Sequence, residues 1–295
     1  MQNDLIASEE FQISGFFPDK TKLYVISIQL RLNGFSFMLV ESSTDKLVKI
    51  QDWKYTSKGI LSISEKWQLA SRHIDEVWNR SEYFGLNFTR IIVTVDHIDY
   101  QLIPQVFYDT NDPKRKFEFS KEITYPFRVK EKIILGSDRM ITFAFPVAME
   151  NWLDENFENC HITHSCAIFQ NEILKLHKNK LFGSRIYVHN SAGFMHIMAM
   201  RNEDFVFMNS FQFQTKEEFV YFILLTYSQL QFNPEENPLF LLGDINSSTA
   251  LYKIVYQYIR NIEFLDKING VKLSFEFDNL SLHQNYLLLQ TLVCE

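Results

Sequence analysis

An α/β chain in two similar halves is what this sequence predicts, on three observations: its length, its globular composition, and one order of strand-like and helix-like segments that occurs twice. The 295 residues exceed one ordinary compact domain and suit two of roughly 150 each. Hydrophobic residues make up 46% and charged residues 22%, the range of a chain that buries a core. The 28 Phe are spread through both halves rather than gathered on one segment, which reads as core filling.

In the first half, Leu23 to Leu32 alternates and is rich in β-branched residues, and Asn33-Gly34 is expected to turn it back into Phe35 to Val40 as a two-residue hairpin. Leu47 to Trp53 is a third strand-like piece. Ser62 and Glu65 then have capping-box spacing ahead of Trp67, Ala70, Ile74, Val77 and Trp78, which share one helix face. Arg90 to Val95 follows as a continuous apolar run of the kind buried in a parallel sheet.

The second half repeats this order. Arg185 to His189, a turn around Asn190 to Gly193, Phe194 to Met200 and Phe205 to Met208 form a meander. Thr215 and Glu218 cap a helix carrying Phe219, Phe222, Ile223, Thr226 and Leu230 on one side. Pro238 to Leu242 corresponds to Arg90 to Val95, and Leu251, Ile254, Val255 and Tyr258 mark a further helix. Residues 48–56 and 206–215 echo one another locally. Between the halves, Phe117 to Phe145 suggests extra strands, including Lys132 to Leu135 and Met140 to Phe145, and Val147 to Phe157 a connecting helix. Lys114-Arg115-Lys116 is read as a solvated turn.

Three antiparallel strands, a helix, a parallel strand and more helix is the ribonuclease H-like order, and two such units define the actin-like ATPase superfold of actin, Hsp70 and sugar kinases. The expected division is a first lobe over 1–146, a connecting helical segment over 147–183 and a second lobe over 184–295. Gln101-Leu102-Ile103-Pro104, Met208-Asn209-Ser210-Phe211 and Leu242-Gly243-Asp244-Ile245, followed by Tyr256 to Phe264, carry a resemblance over nearly the whole chain. The chain resembles an uncharacterised bacterial domain-of-unknown-function family with an actin-like ATPase fold. That resemblance implies a fold and a cytoplasmic location, and brings no substrate.

Nucleotide hydrolysis in this fold relies on two hairpins whose glycines and hydroxyls wrap phosphates, with carboxylates holding hydrated Mg²⁺. The first hairpin has no acid on the strand where active ATPases place an Asp, and the second keeps small polar residues, again without an acid. The loop Leu242 to Ser248 follows an apolar strand and is expected to open a helix whose free N–H groups could receive an anion. Asn33, Gly34, Asn190, Ser191, Gly193, Gly243, Asp244 and Ser247 are the candidate nucleotide-contacting residues, and Asp96 is the counterpart of Asp244. A ribonuclease H-type nuclease would need an acid on the first strand of a unit, which neither half has.

Cys160-His161-Ile162-Thr163-His164-Ser165-Cys166 holds four potential zinc ligands, with Cys160, His164 and Cys166 on one face if the segment is a strand, but without the usual second pair. No metal site is expected. There is no Gly-x-Ser-x-Gly elbow and no dinucleotide or Walker glycine pattern, and 9 Gly leave little material for phosphate cradles. A net charge of −7 and pI near 5.7 argue against nucleic-acid binding. No apolar run reaches the ~18 residues of a membrane span. The acidic Met1 to Glu10 lacks a basic leader, and the three cysteines, Cys160, Cys166 and Cys294, make no disulfide framework; both suit the cytoplasm.

The expected function is a non-catalytic binding or scaffold protein that uses its interlobe cleft or an outer sheet, with a protein partner, no cofactor, no nucleic acid and no membrane insertion. The alternative is a nucleotide-binding ATPase or kinase-like enzyme with divergent phosphate loops, using ATP with Mg. A third reading is a small-molecule binder without chemistry.

Overall fold

The computed structural model describes residues 4–14, 16–17, 22–56, 61–82, 85–108, 111–178 and 183–293; Cys294 lies outside them. The chain divides into two compact units. One comprises Met1–Ile168, Asn269–Leu280 and Leu288–Glu295, and the other Phe169–Ile268 and Ser281–Leu287.

The first unit is built on a six-stranded sheet. Its strands are β1 (Asp4–Gln12), β2 (Tyr24–Arg31), β3 (Gly34–Glu41), β4 (Lys46–Thr56), β5 (Arg90–Asp96) and a later strand, His161–His164, which becomes β9 once the intervening β6 (Tyr100–Pro104), β7 (Phe127–Ile133) and β8 (Arg139–Pro146) are counted. The order is β1-β4-β3-β2-β5-β9. The meander β2–β3–β4 is antiparallel, while β2, β5 and β9 run parallel. This is the expected order with one strand added at the meander's edge. The acidic N-terminal stretch gave no strand signal, yet β1 pairs with β4, and Glu10 reaches Lys49 of β4 at 3.2 Å. Charged residues on an edge strand discourage further pairing, so the acids and the strand are compatible.

Helix α1 (Ile63–Arg80) starts at the anticipated capping box: the Glu65 N–H donates to the Ser62 hydroxyl at 3.2 Å and the Ser62 N–H to the Glu65 carboxylate at 2.8 Å. Those hydrogen bonds hold the Glu65 carboxyl below its ordinary range. Trp67, Leu69, Ala70, Ile74 and Trp78 are buried, each large one contributing about 2 kcal/mol. Trp78 ties the layer together, meeting Phe37 of β3 at 5.8 Å, Trp152 at 6.1 Å and Phe157 at 5.0 Å. Trp152 lies on the helix Val147–Asn156. That helix, expected as a connector, belongs to the first unit, and the chain passes into the second between Ile168 and Phe169, inside the helix Ser165–His177.

A small lobe is inserted after β5, with the antiparallel sheet order β6-β8-β7. The basic run read as a turn is instead helical, α2 (Pro113–Ser120). Pro113 stands at its first position and the Asp112 side chain accepts the Arg115 N–H at 3.2 Å, which is how a proline opens a helix. In chain order the two helices named above are then α3 (Val147–Asn156) and α4 (Ser165–His177).

The second unit carries β10 (Ser184–Ser191), β11 (Phe194–Arg201), β12 (Asp204–Gln212), β13 (Leu239–Gly243) and β14 (Ile262–Phe264) in the order β12-β11-β10-β13-β14. It repeats the first sheet without β1, with β10, β13 and β14 parallel. Helix α5 (Lys216–Leu230) begins at Thr215, whose hydroxyl accepts the Glu218 N–H at 3.1 Å, while the Glu218 carboxylate reaches back to the Gln214 N–H at 2.7 Å. Its Phe222 stacks on Phe211 at 4.6 Å. Ile186, Val188, Met195, Ile197, Phe219, Ile223, Leu239 and Leu241 form the core.

The two hairpins differ from expectation in one way each. In the first, Leu32 and Asn33 form the turn, and Gly34 is already in β3, paired with Arg31. A Cβ on Gly34 would stand 2.0 Å from the Trp53 carbonyl oxygen of β4, so the glycine serves sheet packing rather than the turn. In the second, Asn190 and Ser191 complete β10, and the turn is Ala192-Gly193, with Gly193 at φ +79 and no atom nearer to its Cβ position than the Phe213 carbonyl oxygen at 3.9 Å. Gly34→Ala is therefore expected to destabilise by about 3 kcal/mol, as overpacking against backbone, and Gly193→Ala by about 1 kcal/mol, from φ alone. Urea denaturation of the two variants showing the reverse order would refute this account of the hairpins.

Candidate functional site

In sheets of this topology, loops at the carboxyl ends of the central parallel strands are where ligands bind. In the second unit those ends are Asn190 of β10 and Gly243 of β13, which are register partners. Gly243 adopts φ +84, and a Cβ there would lie 2.1 Å from the Asn190 carbonyl oxygen and 2.7 Å from His189 Nδ1. The Asp244 N–H donates to the Asn190 carbonyl at 2.9 Å, and Asn190 Nδ2 donates to the Asp244 carbonyl at 2.6 Å. The Gly243 N–H reaches the His283 carbonyl at 2.8 Å, and His283 Nε2 lies 2.8 Å from the Ile245 carbonyl. Three of the expected contact residues, Asn190, Gly243 and Asp244, thus meet, and they are stitched to one another. Ser191 is buried beside them, Gly193 sits in the open turn, and Asp244 and Ser247 are exposed. Asn190 Oδ1 is buried with no hydrogen-bond partner among the described residues.

The expected anion-receiving helix start is altered. Asn246 Oδ1 accepts from Ser248 N at 2.9 Å and from Ser248 Oγ at 2.6 Å. The helix itself, α6 (Ala250–Val255), begins six residues after Asp244 and is capped by Thr249, whose hydroxyl accepts the Tyr252 N–H at 3.3 Å. Local turn chemistry thus takes donors that were expected to face an anion.

At the matching place in the first unit the residues are Arg31 of β2 and Asp96 of β5, again register partners. Arg31 ion-pairs with Asp52 of β4, and the Ser36 hydroxyl donates to the same carboxylate at 2.6 Å. Register explains the meeting: Ser36 lies opposite Gln29 on β2 and opposite Asp52 on β4. Gln29 in turn lies opposite Thr94 on β5, and Thr94 opposite Thr163 on β9. Asp52, Ser36, Gln29, Thr94 and Thr163 therefore make a polar row across five strands, every member buried. Below it on the same face, the Ser27 hydroxyl meets that of Thr291 at 2.8 Å. Asn33 stands in the turn, and its Oδ1 is buried without a hydrogen-bond partner among the described residues. Beneath the turn the Tyr55 hydroxyl donates to the Leu32 carbonyl, and burial pushes its pKa upward.

The second unit repeats the row with different side chains. The third pair from the hairpin end, Gln29–Ser36 in the first unit, is His189–His196 in the second, stacked at 5.8 Å. Ser210 takes the place of Asp52, 2.5 Å from His196 Nδ1. Helix α4 lies against this face, with Phe169 6.4 Å from His189 and His177 Nε2 2.7 Å from the Tyr187 hydroxyl. His177 Nδ1 donates to the Asn202 carbonyl at 2.5 Å, so Nε2 accepts from Tyr187. Burial holds the His177 pKa below the ordinary value.

The Cys/His segment does not form a single strand face. β9 ends at His164, and Cys166 falls in the first turn of α4, fully buried. His164 Nδ1 accepts the Cys166 N–H at 3.1 Å, while His161 is exposed. Burial raises both thiols, Cys166 well above its ordinary value and Cys160 to about 12, so neither is a ready thiolate. His97 is fixed as the Nε2–H tautomer, donating to the Ala144 carbonyl at 2.8 Å and accepting the Asp99 N–H at 3.0 Å on Nδ1. Among the described residues no three His, Cys, Asp or Glu side chains are grouped to hold a metal.

The family model described as "Protein of unknown function (DUF3822)" matches residues 14–262, and the chain belongs to that family. Among solved structures, the chain is similar to a Bacteroides thetaiotaomicron VPI-5482 protein with actin-like ATPase fold and unknown function. The TM-score is 0.76 and the identity 17%, over 95% of this chain and 100% of that one. It is also similar to a chain of a PilM-PilN type IV pilus biogenesis complex, at TM-score 0.58 and 10% identity, over 92% of this chain and 98% of that one. No curated protein matches it. The fold is the actin-like ATPase fold, mixed α/β with two sheet-based domains.

Asp52→Ala leaves the largely buried Arg31 guanidinium without its carboxylate and is expected to cost about 2 kcal/mol; a loss near zero in urea denaturation would contradict the pairing. The depressed pKa of His177 predicts a stability contribution that is complete above the ordinary histidine value of about 6.5 and lost as the pH falls below it. His177→Gln should flatten the decline of Tm on the acid side, and an unchanged slope would refute the assignment.

Proposed function

We propose that this DUF3822 member is a non-catalytic binding or scaffold protein on the actin-like ATPase fold, acting in the cytoplasm through a protein partner. The observation that carries this reading is the closed Arg31–Asp52–Ser36 network at the first hairpin. A metal there would compete with a guanidinium for the carboxylate, and Gly34, which could bring backbone close to a phosphate, is spent on contact with Trp53. The similarity to a chain of the PilM-PilN complex supports a role in binding protein, as fold-level analogy. No described helix is long and apolar enough to cross a membrane.

One set of observations favours the other reading, a nucleotide-binding ATPase or kinase-like enzyme using ATP with Mg. The buried Oδ1 atoms of Asn33 and Asn190 have no partner among the described residues, and the turn at Gly193 has room for a ligand. Asn33, Gly34, Asn190, Ser191, Gly193, Gly243, Asp244 and Ser247 would then be its contacts.

Thermal unfolding with and without millimolar ATP or ADP plus Mg²⁺ separates the two. A ligand at a hundredfold its Kd adds about 2.7 kcal/mol to the native state, a rise of several degrees. No rise is the expected result. A Mg²⁺-dependent rise abolished by Asp244→Ala would overturn the non-catalytic reading in favour of nucleotide binding.

A further inference from the structure

An edge strand presents a row of backbone donors and acceptors, and proteins guard it with charge, proline, a bulge or a covering element. The first unit covers its meander, since β1 lies antiparallel along β4. The matching strand of the second unit is β12, at the end of the order β12-β11-β10-β13-β14, and no described strand pairs with its other side. Its guards are few. A bulge at Val206 interrupts the pairing with β11, but from Phe207 to Gln212 the register is regular, and no charged residue occurs from Phe205 to Thr215. The Phe213 N–H donates to the Gly193 carbonyl at 3.1 Å, so alternation turns the backbone groups of Met208, Ser210 and Gln212 away from β11. The Ser210 N–H is met at 2.8 Å by Oδ1 of the adjacent Asn209 rather than by another strand.

Helix α5 extends this surface. Phe222 stacks on Phe211 of β12 at 4.6 Å and meets Tyr221 at 5.4 Å, so strand and helix side chains make one contiguous patch. Tyr221 is 56% exposed, and Phe222 and Leu225, the latter one turn beyond Tyr221, are half-buried. Helix α1 shows what a solvent-facing counterpart carries. Counted from the capping glutamates Glu65 and Glu218, Tyr221 stands where α1 has the exposed Gln68, and Leu225 where α1 has the exposed Arg72. No charged residue occurs from Phe219 to Pro234, and a helix without a charged face is one that is covered.

We infer that β12 and α5 form the interface of a twofold dimer of this chain, in which the two β12 strands pair antiparallel about Ser210. The three outward positions are symmetric about that residue, so Met208 lies opposite the partner's Gln212. A twofold axis between antiparallel strands stands perpendicular to the sheet, which brings both α5 helices to the same face. There Tyr221, Phe222 and Leu225 meet their own equivalents, as an isologous interface requires. A second copy fits because the patch is its own complement. An uncharged edge meets an uncharged edge with no like charges opposed, and an aromatic strip meets an aromatic strip. A partner recognised by charge would find none in the patch, and apolar, charge-depleted cores mark homodimers. The pairing is independent of the non-catalytic reading and can fail separately from it.

Sedimentation velocity of the full chain over a dilution series should show a concentration-dependent dimer. Tyr221→Gln with Leu225→Arg, the residues α1 carries at those places, should weaken it at least about tenfold. So should Gln212→Pro, which removes an outward N–H and no bond to β11. Melting of the variants beside the wild type at the lowest concentration separates a lost interface from a lost fold, and their Tm should there agree within a few degrees. Register has its own readout: a mixture of Met208→Cys and Gln212→Cys chains should form, on oxidation, a disulfide-linked dimer that neither chain forms alone. A chain monomeric throughout the series, a dimer indifferent to these substitutions, or Met208→Cys alone linking as well as the mixture would overturn the inference. So would a monomer retained by phosphatidylserine vesicles, which would give the patch to a lipid surface.

Discussion

A carboxylate taken out of water must meet a partner inside the protein or change its protonation state, and Asp52 meets partners within its own meander. The Arg31 guanidinium and the Ser36 hydroxyl come to it from the two other strands of the meander, which fixes the registers of both strand pairs at once. A slip of one residue would send Ser36 to the other face, among the rings of Phe35, Phe37 and Trp53. The polar row that starts at Asp52 therefore pins the sheet in which the hairpin, Gly34 and the strand ends are set. A charge pair satisfied internally has little left to offer a phosphate or a metal, which is why it carries the proposed non-catalytic reading.

The second unit keeps polar groups at the same place with other side chains. Its row is made of stacked imidazoles and a hydroxyl, His189, His196 and Ser210. Helix α4 closes over this face with Phe169 and His177. The two halves are thus alike in strand order and in where they keep polar groups, and unlike in the chemistry of those groups. Asn190, Gly243 and Asp244 form a close backbone junction in the second unit, where the first has Arg31 beside Asp96.

The meanders, α1, α5 and the parallel strands were legible in the sequence because their signals are local. Periodicity, Ser62 with Glu65, and Thr215 with Glu218 all lie within one or two turns of chain. Strand β1 was not legible, because its acids mask an edge strand whose partner lies some forty residues on. Nor was α2, where Asp112 and Pro113 outweigh the basic run that follows. Of the candidate residues, those around Gly243 could be read from a glycine at the end of an apolar strand. Arg31 and Asp52 could not: an acid was sought on the first strand of the meander, whereas the carboxylate stands on the third and reaches the site through register. The Cys160 to Cys166 segment misled because alternation was carried past His164, where the strand ends and α4 begins.

The first unit is not continuous in sequence. Residues 269–280 and 288–295 return to it: Leu47 N–H bonds the Lys272 carbonyl at 2.9 Å, Phe277 packs 6.5 Å from Phe11, and Thr291 reaches Ser27. During ribosomal synthesis the N-terminal half therefore emerges before the segments that cover part of its sheet have been translated. The second unit's main body, Phe169–Ile268, precedes those segments as well. Of these two units, the one whose main body is synthesised first is thus the last to be completed.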